Sequence, residues 1–391
     1  MKKAAKTLKL LLAVCALAAA RQGYTAENGQ PGVVREAPVP DFVADEGEFP
    51  MDGFAPYSPL PRPIWYFQGG GLALKRDASG DQWFAHAVTR VWREEGDPPV
   101  PVPYDSDTIL LGTQDLDFGF RGGGRVLLGR TLGDWYGFEA SYFGLSSWDS
   151  TAMVSEAPLF ENPQGVFSDG VLLSPWTDYR MAPVAALDDN DYISISYRSS
   201  LENFEWNFRR SFIVPPGWLQ GSLLVGGRYV NIRENFDYHS LSLVGNITND
   251  VNVRTDNQML GVQVGALFKF QVEPQWWVDC EIKGAYFQNE ADQGTVYTNA
   301  NGGAPYEGTH TGGRAGTRSA FALDLRLSLI YQLGPNLSTH IGYQALWVDG
   351  LALASENFER DINILMSGPA TLVDNGKVVY HGPDLGGTLS W

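Results

Sequence analysis

The stretch FALDLRLSLIYQLGP, Phe321 to Pro335, sets leucine at alternate positions over most of its length, with Asp324, Arg326 and Ser328 between. A side-chain period of two belongs to a β-strand, whose successive residues point to opposite faces. One face is apolar; the other carries an acid, a base and a hydroxyl. A half-buried strand of a soluble sandwich and a wall strand of a membrane barrel both satisfy this pattern, so the rest of the chain decides.

At the start of the chain, Lys2, Lys3, Lys6 and Lys9 precede an apolar run from Leu10 to Ala20 that ends in three alanines. Positive start, short apolar core and small-residue exit are the parts of a secretory signal peptide, expected over residues 1–20. The run is too short to span a bilayer, and Val14 ahead of Cys15 does not suit a lipoprotein signal. No other segment is continuously apolar over a bilayer's width, so a membrane could be crossed only by strands. Residues 21–63, with REAPVPDF and SPLPRP, hold too much proline for helix or sheet and read as an extended tether. Removing residues 1–20 takes away Cys15 and leaves Cys280 alone, which excludes an internal disulfide and reads as a small hydrophobe. The chain has 28 basic and 45 acidic residues. Without the four signal lysines the balance is 24 against 45, which speaks against nucleic acid as a partner.

From Ile64 onward ten segments show strand periodicity: 64–76, 117–131, 134–148, 192–213, 218–234, 253–272, 274–289, 318–332, 336–349 and 377–391. Their connections alternate in length. Leu132-Gly133, VPPG, VEPQ and LGPN are tight turns built on Pro and Gly. The connections 77–116, 149–191, 235–252, 290–317 and 350–376 are long. Short turns at one end and long loops at the other are the arrangement of an outer-membrane barrel. The expected fold is therefore all-β, an antiparallel up-and-down barrel of about ten strands over residues 64–391. Twelve is the count if FAHAVTRVW, Phe84 to Trp92, adds a hairpin.

The aromatics agree with this. Trp135, Tyr136, Phe212, Trp218, Phe270, Trp276, Trp277, Tyr331 and Trp391 all lie beside a short turn or the C-terminus, as a ring at the inner membrane interface would. In the opening stretch, Phe321, Leu323, Leu325, Leu327, Leu329 and Tyr331 then face lipid, and Asp324, Arg326 and Ser328 face the lumen. Phe204, Trp206 and Phe208 oppose Glu205, Asn207 and Arg209 in the same way, and Trp276, Val278, Cys280 and Ile282 oppose Asp279, Glu281 and Lys283. Charges this regular cannot hide in a sandwich core; a polar lumen accepts them. The last segment ends LGGTLSW, an alternating strand closed by a C-terminal aromatic.

The runs GFRGGGRVLLGRTLGDWYGFEASYFGL, GGRYVNIRENF, DNQMLGVQVGALF, HIGYQALWVDGLALA and VVYHGPDLGGTLSW follow one another in this order. They resemble the planctomycete outer-membrane β-barrel proteins of the BBP family, group seven, over most of the chain from about residue 60. That resemblance implies an outer-membrane location and a barrel fold, and supplies no catalytic residues.

The five long connections hold 25 acidic and 5 basic residues, while the strands and short turns are close to balanced. Arg125, Glu139, Glu205, Arg209, Arg228, Lys269, Asp279, Glu281, Lys283, Asp324 and Arg326 all take lumen parity. The interior of a ten-strand barrel is only slightly wider than one filled by side chains, so these charges are expected to pair and obstruct it. An open lined pore is the rival arrangement. The acidic loops, LDDND at Leu187 to Asp191 among them, are candidates to gather divalent cations, though none shows the spaced pattern of a calcium loop. Asp115-Leu116-Asp117 and Asp237-Tyr238-His239 share residue types with the rim of omptin proteases, where a carboxylate-poised histidine could activate water. No phosphate loop, zinc spacing or nucleophile elbow occurs. These readings converge on a monomeric, non-enzymatic barrel in outer-membrane lipid without a cofactor, its tether and C-terminus periplasmic and its acidic loops outside. The alternatives are a narrow porin-like diffusion channel for small solutes and, third, an omptin-like rim hydrolase.

Overall fold

The structure, a computed structural model, describes residues 64–77, 80–95, 100–155, 167–168, 172–177, 184–214, 219–368 and 371–391. The expected signal peptide and tether lie outside these residues, as does Trp218. The strands are β1 (Trp65–Arg76), β2 (Trp83–Glu95), β3 (Val100–Gly112), β4 (Arg121–Leu132), β5 (Tyr136–Ser155), β6 (Phe167–Ser168), β7 (Tyr192–Val214), β8 (Leu219–Ser242), β9 (Ile247–Glu273), β10 (Trp276–Ala300), β11 (Gly308–Gly334), β12 (Leu337–Leu351) and β13 (Gly376–Ser390). Among the described residues a 3-10 turn covers Thr113–Asp115, and one short α-helix, α1 (Ile362–Ser367), precedes β13.

Ten of these strands close into an antiparallel barrel in the order β1-β4-β5-β7-β8-β9-β10-β11-β12-β13. The seam is β1 against β13, Tyr66 opposite Ser390 and Arg76 opposite Tyr380. The main-chain bonds between Trp65 and Trp391 finish it, each 2.9 Å. Closure leaves no unpaired edge, the condition for strands in hydrocarbon. The Phe84 to Trp92 region does form a hairpin, β2 with β3, but it stands outside the wall in a separate sheet with β6. The wall therefore has ten strands, not twelve.

The long connections differ from expectation. Residues 235–252 and 290–317 are mostly strand, and their loops shrink to 243–246 and 301–307. β9 and β11 run 27 residues each and β10 runs 25, far beyond the ~9–11 residues that span a bilayer. The surplus extends the wall beyond the membrane at the loop end.

Along β7 and β9 the amphipathic sense reverses. In the turn-end half of β7, Phe204, Trp206 and Phe208 point outward and are exposed, while Asn203, Glu205 and Asn207 point inward and are buried. In its loop-end half Ser194, Ser196 and Arg198 point outward and Ile193, Ile195 and Tyr197 inward. β9 repeats the reversal: Leu260, Val262 and Val264 are exposed outside, then Val251, Val253 and Met259 are buried inside. Lipid solvates the outer face of the first half; the second half faces water outside and needs an apolar interior.

That interior is filled by the chain's own connections. Phe84 of β2 packs on Phe236 of β8 at 4.6 Å between ring centroids and on Phe358 of the β12–β13 connection at 5.1 Å. Trp176 of the β5–β7 connection meets Tyr238 and Tyr297 at 5.3 and 5.6 Å. Inward amides take up the main chain of these plug segments. Asn257 receives Ala352 N and donates to Ala352 O, both at 2.8 Å. Asn249 and Asn299 each donate to Ala186 O at 3.2 Å. Buried backbone groups without such partners would each cost about 1–3 kcal/mol, so the amides dock the plug as well as tolerate it.

Candidate functional site

Below the plug, the turn-end half of the lumen holds a charged layer. Strand parity delivers it: inward positions of β4, β5, β7, β8, β9, β10, β11 and β13 reach the same level because neighbouring strands are in register. Glu281 lies opposite Arg326, Lys283 opposite Asp324 and Glu205 opposite Arg228. All eleven charged residues expected in the lumen lie in this half, and each has an oppositely charged partner.

Arg209 bonds Glu139 and, at 2.8 Å, Glu281. Lys283 sits 3.0 Å from Glu205, 3.5 Å from Glu281 and 3.9 Å from Asp324. Arg228, fully buried, reaches Asp324 at 3.1 Å and Glu205 at 3.7 Å. Lys269 pairs with Asp279 at 3.2 Å. Arg125 and Arg326 share a twelfth member that sequence reasoning missed, Asp384 of β13. Gln344 joins the groups, donating to Asp324 at 2.8 Å and accepting from Arg125. Asp384 has lumen parity in LGGTLSW's own strand, but the glycines around it masked the alternation that flagged the others.

Six cations thus face six carboxylates. Such a layer is stable only because each buried charge has a partner and further hydrogen bonds, Tyr66 to Glu139 at 2.5 Å and Gln263 to Glu205 at 3.1 Å among them. It leaves a cavity of about 370 Å³, lined on the apolar side by Leu127, Phe143, Trp277 and Ile330. Gln220, Gln332, Ser338 and Thr388 carry the cavity toward the turn end of the wall.

The inner aromatic residues fall in two groups. Trp135, Tyr136, Trp276 and Trp391 are exposed on the outer surface, where Tyr136 stacks on Phe208 and Trp276 meets Tyr331 at a tilt. Phe212 contacts Phe268, and Phe270 lies half-buried on the same outward parity. Trp277 departs from the expected ring: it shares parity with Asp279 and lines the lumenal cavity. Its neighbour Trp276 takes the outward position, since consecutive strand residues cannot both face lipid. A second aromatic ring, unforeseen from sequence, marks the other edge of the apolar band: Tyr142, Phe204, Tyr286, Phe321 and Trp347 are all exposed. From Phe321 to Tyr331 is about eleven residues, matching one bilayer crossing.

The enzyme-like residues do not assemble. Asp115 accepts from Gly112 N at 2.8 Å, and Asp117 pairs with Lys75 at 2.9 Å. Asp237 is held by Asn235 and Asn252, and His239 lies 2.7 Å from Asp250 on the outward face of β8–β9. In LDDND, Asp188 is buried and accepts from Ser174 N, Ser174 Oγ, Thr177 Oγ1 and Val184 N, so its oxygens are committed to the fold. Among the described residues no cluster of three His, Cys, Asp or Glu is arranged to hold a metal.

A family model described as "Putative beta barrel porin-7 (BBP7)" matches residues 102–391. No curated protein matches. Among solved structures the chain is similar to the outer membrane protease OmpT from Escherichia coli, at 9% identity over 85% of this chain and 98% of that one, TM-score 0.41. It is also similar to the CymD monoaromatic hydrocarbon channel, at 10% identity over 84% and 89%, TM-score 0.26. The Ralstonia pickettii toluene transporter TbuX matches at 9% identity over 84% and 90%, TM-score 0.20.

Proposed function

The chain belongs to the beta barrel porin-7 family, and from that premise we propose that it is a narrow porin-like channel for small polar solutes, held shut by its own plug. It is a non-enzymatic outer-membrane barrel. The observation that carries the channel reading is the solute-sized polar cavity that the charged layer leaves in the turn-end half of the lumen. A barrel meant only to display loops would gain nothing from such a cavity. The short turns are periplasmic and the extended, acidic end is outside. Residues 1–20 direct export, residues 21–63 trail in the periplasm, and the closed wall is a monomer.

Conductance tests this reading. In planar bilayers the wild-type chain should give rare steps, and loosening the plug with Phe84→Ala and Phe358→Ala should make steps frequent. Silent membranes with both proteins, each shown folded by a heat-dependent gel shift, would defeat it. Display of the acidic exterior is the second reading, favoured by outward Asp149, Asp237, Asp250 and Asp256 on the extended wall.

A further inference from the structure

We propose that the lumenal cavity binds a small zwitterion of amino-acid size, its ammonium on Asp279 and its carboxylate on Arg326; this rests on the lumen being a solute pathway. Four cross-strand pairs of β10 and β11 line one wall in sequence from the turn end: Trp277 with Ile330, Asp279 with Ser328, Glu281 with Arg326, and Lys283 with Asp324. The first is apolar, and the rest are polar or charged.

Two groups on this wall are only half committed. Lys269 lies 3.2 Å from Asp279 Oδ2, and Asp279 Oδ1 has no hydrogen-bond partner among the described residues. Arg326 Nη2 is engaged by Asp384 and, at 2.9 Å, by His340, while its Nε likewise lacks a partner. Both residues line the cavity. Asp279 and Arg326 are diagonal neighbours across the β10–β11 ladder, a relation that sets Cβ atoms about 7–8 Å apart or less. A ligand bearing one ammonium and one carboxylate on adjacent atoms fits an acceptor and a donor so placed.

Charge selects the class. With six cations against six carboxylates, the layer offers no net field, so a net anion or cation would be desolvated without compensation. A zwitterion enters with its charges already paired and leaves the layer neutral. The apolar substituent of such a ligand then lies against Trp277 and Ile330. A cavity of about 370 Å³ falls in the size range of small-molecule sites.

The test is calorimetric titration of the full chain in detergent micelles with three probes of similar length: norleucine, hexanoate and pentylamine. Norleucine should give saturable heat, with hexanoate and pentylamine each weaker by about tenfold or more. Asp279→Asn should weaken norleucine by a similar factor. Arg326→Lys keeps the cation for Asp384 but removes the Nε donor, and should do the same while the heat-dependent gel shift shows an intact barrel. Equal binding of all three probes, no saturable heat, or unchanged affinity in Arg326→Lys would overturn the assignment. The titration needs no passage through the plug, so the two readings are tested apart: silent bilayers defeat the solute pathway on which this proposal rests, whereas conductance without norleucine binding defeats the zwitterion assignment alone.

Discussion

Replacing Arg228 by Met should destabilise the barrel more than any other single change in the charged layer. Its side chain is fully buried, 3.1 Å from Asp324 and 3.7 Å from Glu205, and donates to Asn203 at 2.6 Å. Methionine fills much of the volume but leaves two carboxylates facing Lys283 alone. Stripping one partner from a buried pair costs about 3–5 kcal/mol. With a urea dependence of ~3 kcal/mol per M, the unfolding midpoint in micelles should fall by roughly 1–1.7 M. Adding Asp324→Leu removes one stranded carboxylate and leaves Glu205 with Lys283 at 3.0 Å. The double variant should therefore recover much of the loss. As a control, Arg198→Met breaks an exposed pair with Asp149 and should leave the midpoint within error. The reasoning is refuted if Arg228→Met unfolds at the wild-type midpoint, or if the double variant loses the sum of the two single losses.

Leu327→Arg places a charge on the lipid face near the middle of the apolar band and should cost ~2–4 kcal/mol, read as lost refolding yield into vesicles. Gln258→Arg, outward on β9 above the band, should refold normally. Gly261→Ala brings a Cβ to 1.9 Å from Tyr286 O and should cost about 1–3 kcal/mol, whereas Gly284, with open space around it, should accept alanine. Burial raises the carboxyl of Glu356 in the β12–β13 connection, and the nearby Glu234 adds to the shift. Because the folded value lies above the unfolded one, docking of this segment is strongest below the ordinary carboxylate range and weakens as pH rises through the raised value. Hydrogen exchange across 352–361, corrected for intrinsic chemistry, should show protection falling from pH ~4 to pH ~7, and Glu356→Gln should flatten the trend.

Much of the wall was legible because lipid enforces period two without exception. Phe321 to Tyr331 announced its inward and outward residues directly, and the Pro and Gly turns fixed the pairing of neighbours. The same rule pointed to eleven of the twelve charges in the lumenal layer. It failed where that logic reverses. Above the membrane, water replaces lipid outside and the plug replaces the polar lumen inside, so 235–242 and 290–300 read as loop although they continue the wall.

The sequence by itself determined the strand class, a count of about ten and the facing of most charged wall residues, since one-sided solvation writes itself into alternation, while the structure set the count at ten rather than twelve. Only the tertiary structure decided that Phe84, Trp176 and Phe358 converge to seal the outer half, that Asp384 completes the charge balance, and that Trp277 turns inward beside Trp276. Those outcomes depend on contacts between residues far apart along the chain. No local period records them, because each segment is stabilised by surfaces it meets only once the barrel has closed.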